Sequence, residues 1–136
     1  TFSGKPARIL EILRQLHGTK SLIFGNHDQR LIRLCRNEGV DELMSYDHYK
    51  EIEIEGQKIV LMHYGMRVWN KAHYGAWHLY GHSHASLPPH GRSVDVGVDS
   101  HWITGKAEYR PFSFEEVKAF MATREFEAVD HHGSEQ

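Results

Sequence analysis

An internal disulfide is the first feature this sequence excludes, because Cys35 is its only cysteine and a bridge within the chain needs two. A reducing, cytoplasmic setting is therefore the expectation. Long apolar runs are also missing: nothing approaches the ~20 consecutive residues that span a bilayer, and nothing resembles a secretory leader, so no membrane partner is expected. An excess of positive charge is absent too, since 16 Lys and Arg face 18 Asp and Glu for a net charge of -2. Broad, sequence-independent nucleic-acid binding needs clustered surplus cations, so long nucleic acid is disfavoured and any phosphate would be met locally. Internal repeats and low-complexity stretches are lacking as well. With 40% hydrophobic and 25% charged residues, the chain is composed like one globular domain. We assign 1–125 to that domain and 126–136 to a polar tail.

Histidine, by contrast, is abundant: 12 residues, scattered rather than appended as a tag. The elements around them can be read from periodicity. Ser3, Gly4 and Pro6, followed by Ile9, Ile12, Leu13 and Leu16, predict a capped amphipathic helix that ends at Gly18. The run 21–24 predicts a short strand buried on both faces, and Leu31, Ile32, Leu34 and Cys35 a helix over 30–37 that stops at Gly39, which together imply a βαβ-like layering. Alternation at Ile52 and Ile54, a turn at Glu55-Gly56 and the apolar run 59–62 predict a hairpin with a fully buried second strand. Further strands are expected at 77–80 and 94–98. Ser113 and Glu116 form a capping box for a helix to about Arg124, with Val117, Phe120 and Met121 on one face.

Three polar clusters each follow an apolar strand: Gly25-Asn26-His27-Asp28, His63-Tyr64 and Gly81-His82-Ser83-His84. In layered α/β sheets the carboxyl ends of buried strands converge on one edge, where ligand sites form. On extended backbone His82 and His84 would project to one side about 6–7 Å apart, a spacing that lets their rings reach two ions separated by roughly 3.5–4 Å. Asn26 and His63 would complete a mixed nitrogen and oxygen set suited to Mn, Fe, Zn or Ni rather than calcium. A lone histidine after a strand is more often a hydrogen-bonded structural residue, so the argument rests on the three clusters together. Between the second and third clusters, Arg67 is a candidate phosphate ligand because its guanidinium fork suits phosphate oxygens, and His73 is a candidate for the same wall. Gly97 and Asp99 read as structural, a close backbone approach and a turn.

GNHD, then a strand ending in His63, then GHSH is similar to the last three motifs of calcineurin-like metallophosphoesterases, over Thr1 to about Phe120. The resemblance is to the small single-domain bacterial and phage members. It implies a four-layer α/β/β/α sandwich and a phosphomonoester or phosphodiester substrate. It implies two divalent ions, Mn favoured, with Asn26, His63 and His82 on one and His84 on the other. His27 would stabilise charge at the phosphoryl or leaving group, and Asp28 would orient it. The family's D-x-H and G-D motifs have no counterpart here, and the N-terminal part of the sandwich is expected to be missing. Unit charges 4 Å apart at a dielectric near 20 interact by ~4 kcal/mol, so two dications repel by roughly 16 kcal/mol. Neutral Asn and His cannot offset that without a bridging carboxylate. The isolated chain is therefore expected to be a weak or inactive phosphoesterase, and the rival reading is a non-catalytic mononuclear metal-binding or regulatory fragment.

Overall fold

A computed structural model of the chain describes residues 5–38 and 45–129. It is mixed α/β, with three helices and two sheets among those residues. The chain divides into two compact units, Thr1–His48 and Tyr49–Gln136. Ser3, Gly4, Gly39 and residues 130–136, to which the sequence assigned a helix cap, a helix stop and most of a tail, lie outside the described residues.

In the first unit, α1 (Pro6–Gln15) starts with proline at its first turn, where the missing N–H costs nothing, and Lys5 at the N-cap makes no side-chain cap bond. It ends three residues before Gly18, which takes the left-handed φ of 85° in the following loop. Leu10 is the buried residue of this helix, flanked by Ile9 and Leu13. Ile12 and Leu16, expected on the buried stripe, are 46% and 53% exposed. The packed stripe is thus rotated toward Leu10, which meets Leu31 and Cys35 of α2 (Gln29–Glu38). β1 (Ser21–Ile23) and β2 (Ser45–Asp47) pair in parallel on either side of α2 in sequence, which is the βαβ layering the pattern implied. The expectation that β1 is buried on both faces fails. Ser21 is exposed, and Leu22 and Ile23 are only half-buried, although Leu22 packs against the Leu10, Leu31 and Cys35 cluster.

The second unit holds a four-stranded sheet in the order β3-β4-β5-β6. β3 (Tyr49–Ile54) and β4 (Gln57–Met62) form the expected hairpin, with Ile54 opposite Gln57. Its two-residue turn puts Glu55 at φ 50° and Gly56 at φ 79°, the two positive values that match the twist of a tight hairpin. Only Ile59 and Val60 of β4 are buried; Leu61 and Met62 are half-buried. β5 (Trp77–Tyr80) and β6 (Ser93–Asp95) add on in parallel. β6 stops at Asp95 rather than running to Val98, since Asp95 turns its carboxylate back onto the N–H of Gly97 at 2.8 Å. α3 (Phe114–Ala122) begins with the full capping box: Ser113 Oγ accepts from the Glu116 N–H, and Glu116 accepts from the Ser113 N–H. Its Val117 and Met121 close a core with Ile59, Trp77 and Val94, each such side chain contributing about 1.5–3 kcal/mol on burial. Beyond α3 the chain is held down: Glu127 Oε1 accepts from the Gly91 N–H at 3.1 Å, and Arg124 Nε donates to the Gly91 carbonyl at 2.9 Å. Among the described residues no helix is long and apolar enough to cross a membrane.

Candidate metal centre

Parallel pairing of β4 with β5 sets Leu61 opposite Leu79, so the residues just past the two strand ends meet. The ladder continues there, with the Gly81 and His82 N–H groups donating to the His63 carbonyl at 3.2 and 2.9 Å. Their side chains meet as well: His63 Nε2 and His82 Nδ1 lie 3.1 Å apart, one donating and the other accepting as the tautomers require. Tyr64 packs against both rings, its centroid 4.7 Å from that of His82 and 5.1 Å from that of His63.

His84 goes elsewhere. Residues 82–85 form a turn, not the extended backbone assumed from the His-x-His spacing, with the Ser86 N–H donating to the Ser83 carbonyl at 2.9 Å. His84 and Ala85 take left-handed φ values of 48° and 63°. For non-glycine residues this conformation costs free energy and persists only where the surroundings impose it. Here Asp95, fully buried, accepts from the Ala85 N–H at 3.0 Å, and Trp102 Nε1 donates to the Ala85 carbonyl at 3.0 Å. The turn delivers His84 Nδ1 to Asp99 Oδ2 at 2.5 Å. A carboxylate on one imidazole nitrogen is how metal-binding histidines are commonly oriented, with the opposite nitrogen as the ligand. Gly97 lies under this arrangement, and a Cβ there would stand 2.8 Å from Asp99 Oδ1 and 3.0 Å from Asp95 Oδ1.

Two residues that sequence reasoning passed over hold the frame: Asp95 and His78. His78 has no exposed surface; its Nδ1 faces the Val60 carbonyl at 3.1 Å and its Nε2 accepts from the Met66 N–H at 3.0 Å. Burial lowers its pKa below the ordinary imidazole value, and the backbone carbonyls of Val60 and Tyr64 only partly oppose that. A neutral His78 thus pins the segment that leaves His63. The signal was available: a histidine inside the apolar run WHLY has no solvent exit and must find backbone partners.

In the first unit the GNHD cluster is a tight turn between β1 and α2. The Asp28 N–H donates to the Gly25 carbonyl at 3.2 Å, while buried Asp28 Oδ2 accepts from the Gly25 N–H at 2.7 Å. That bond locks the turn and leaves Asn26 and His27 exposed at its tip. In the second unit Arg67 and His73 line a single cavity of about 370 Å³ with Trp69, Lys71 and Phe126.

Two imidazole nitrogens bound to one ion at about 2.0–2.1 Å stand roughly 3.0–3.4 Å apart across a coordination edge. The His63–His82 separation fits that edge once the donating ring carries its proton on its other nitrogen, so that both facing nitrogens offer lone pairs. Among the described residues, no three His, Cys, Asp or Glu side chains cluster closely enough to hold an ion by themselves. Compared with family models, curated proteins and solved structures, the chain matches none.

Proposed function

We propose that this chain belongs to a metal-dependent phosphoester hydrolase, with His63 and His82 as two ligands of one divalent ion, manganese favoured. The observation that carries the reading is the pair of ring nitrogens 3.1 Å apart at the carboxyl ends of adjacent parallel strands. When bound, such an ion supplies Lewis acidity toward a phosphoryl oxygen. The protein's own part is positional: β4 and β5 fix the two backbones, Tyr64 packs against the His82 ring, and Asp99 holds His84 by Nδ1, so that its Nε2 would be the nitrogen left for a second ion. Arg67 and His73 would hold phosphate oxygens along their shared cavity wall. For Asn26, His27 and Asp28 the resemblance alone implies roles, and the finer architecture it implies is the four-layer sandwich, with the four-stranded sheet as one layer.

A mononuclear, non-catalytic site is the second reading, and the observation favouring it is that His63 and His82 face each other while no three His, Cys, Asp or Glu side chains cluster among the described residues. Titration of the 136-residue chain with Mn²⁺ and Zn²⁺, beside hydrolysis of a bis-aryl phosphodiester, separates the two. Saturable binding that falls at least about tenfold in both His63→Ala and His82→Ala is expected. Unchanged affinity in either variant would remove that residue from the site. Binding without turnover by the isolated chain, restored in a longer chain carrying the D-x-H and G-D motifs, supports the hydrolase; binding without turnover in both supports the mononuclear reading.

A further inference from the structure

The opposite end of the four-stranded sheet carries a different chemistry. Where β4 and β5 begin and β6 is about to begin, Lys58, Lys71 and Arg92 line a cavity of about 480 Å³ with Gln57, Tyr74 and Gly75. Among the described residues no carboxylate lines it. Its walls are organised. Lys71 takes a left-handed φ of 60°, and its carbonyl accepts from the N–H groups of Tyr74 and Ala76 at 3.0 and 3.1 Å. Gly75 follows at φ 90°, its carbonyl accepting from Gln57 Nε2 at 3.0 Å. A Cβ on Gly75 would stand 3.3 Å from Arg92 Nη1, so the glycine leaves room for that guanidinium, and Arg92 Nε is itself held by the Arg124 carbonyl at 3.2 Å.

The two lysines crowd each other. Lys71 is pushed below the ordinary lysine value, chiefly by contact with Lys58 and then by its charge, while Glu51 and Glu53 pull the other way with less weight. Those two carboxylates line the neighbouring cavity, of which Lys58 and Lys71 form the shared wall, with Glu53 opposite Lys58 in the β3–β4 ladder. Glu51 is engaged by the Tyr49 hydroxyl at 2.6 Å and by Asn70 Nδ2 at 2.8 Å. Like charges held together beside a carboxylate-free cavity lose their mutual repulsion when a multiply charged anion sits between them. A guanidinium fork next to two ammonium groups suits tetrahedral oxyanions, and the volume falls in the range of small-molecule sites, about 300–1,000 Å³.

We propose that this cavity binds a small phosphorylated molecule carrying two or more negative charges, at a site separate from His63 and His82. It lies at the amino ends of the strands whose carboxyl ends carry those histidines, so it is an accessory site and stands whether or not the metal reading holds.

The test is calorimetric titration of the 136-residue chain with pyrophosphate, in chloride at constant ionic strength. Single-site saturable binding is expected, weakened at least tenfold in Lys58→Gln/Lys71→Asn. Asparagine accepts left-handed backbone, so this variant removes charge without straining the turn. Lys58→Arg/Lys71→Arg should keep the affinity within a few fold, and His82→Ala should leave it unchanged. Lys106→Gln/Lys118→Gln, which removes the same charge elsewhere in this unit, should leave it unchanged too. Absence of saturable binding, or equal weakening in Lys58→Gln/Lys71→Asn and Lys106→Gln/Lys118→Gln, would overturn the proposal.

Discussion

The backbone at His84 and Ala85 is left-handed in two successive non-glycine residues, and three side chains over-determine it: Asp95 on the Ala85 N–H, Trp102 on the Ala85 carbonyl and Asp99 on the His84 ring. Each can be removed singly. Asp99→Asn keeps the size of the side chain and removes its charge, so His84 loses its anchoring anion. If His84 ligates metal, the affinity for that ion should fall about 10–100-fold, as for other partners of metal-bound histidines. Fold stability should change little. The check is metal titration and kinetics beside a denaturation curve; a loss of stability with metal binding intact would make Asp99 a purely structural residue. Gly97→Ala is expected to act the other way, on stability, because its Cβ would meet Asp99 Oδ1 at 2.8 Å and Asp95 Oδ1 at 3.0 Å. Crowding of this kind costs about 1–3 kcal/mol, read as a shift in the urea midpoint. Of these residues the sequence marked His82, His84, Gly97 and Asp99. It did not reveal that the two histidines part company, because a two-residue spacing implies one side only on extended backbone, and the tight turn abolishes that.

At the scale of elements, the strand ends do the positioning. β4 and β5 were legible as short apolar runs that stop at histidines, but their parallel register was not, since nothing in either run says which residue lies opposite which. The hairpin turn and the capping box were legible because each depends on residues close in sequence: two positive φ values at Glu55-Gly56, and Ser113 with Glu116 three residues on. β2 was missed because a three-residue strand shows no alternation. The capping box gives a local test. Ser113→Ala removes the acceptor for the Glu116 N–H and should destabilise the chain by about 0.5–2 kcal/mol. Thermal unfolding measures it, and no shift would mean that water replaces the cap at no cost. Glu116 is also bound by Arg110, whose guanidinium is the main reason its carboxyl falls to about 2, with the Ser113 N–H contributing. Its folded value lies below the ordinary glutamate value of 4.5, so its stabilisation is present above that value and is lost as the pH falls through about 2.

For the whole molecule, the second unit is built around a buried histidine as well as an apolar core. His78 is held neutral by burial, with a folded pKa below 6.5. The unfolded chain takes up a proton near that value and the folded chain does not, so this contribution is fully present above 6.5 and is lost as the pH falls below it. One proton sets the limit at ~1.4 kcal/mol per pH unit. Urea midpoints between pH 5 and 8 should therefore rise with pH more steeply in the wild type than in His78→Gln, and equal slopes would assign the dependence to other histidines. The apolar part of the same core predicts that Met121→Ala, at a site 1% exposed among Ile59, Trp77 and Val94, destabilises by about 2–5 kcal/mol. Hydrogen exchange should show the loss across 49–129.

Much of this protein is written locally. Periodicities of 2 and 3.6, the glycine and proline signals and the motif order GNHD, His63, GHSH determined the hairpin, the helices, the strand-end histidines and the resemblance, because all of these depend on neighbours within about one helical turn or one strand. Pairings between distant segments were decided only in three dimensions. Register brought His63 to His82, the turn after β5 sent His84 to Asp99, and β6 ended where Asp95 could reach back to Ala85. The physical reason is the same in each case: a hydrogen bond or ion pair across 10 to 20 residues of chain depends on how the intervening segments pack, and single-sequence patterning carries no record of that packing.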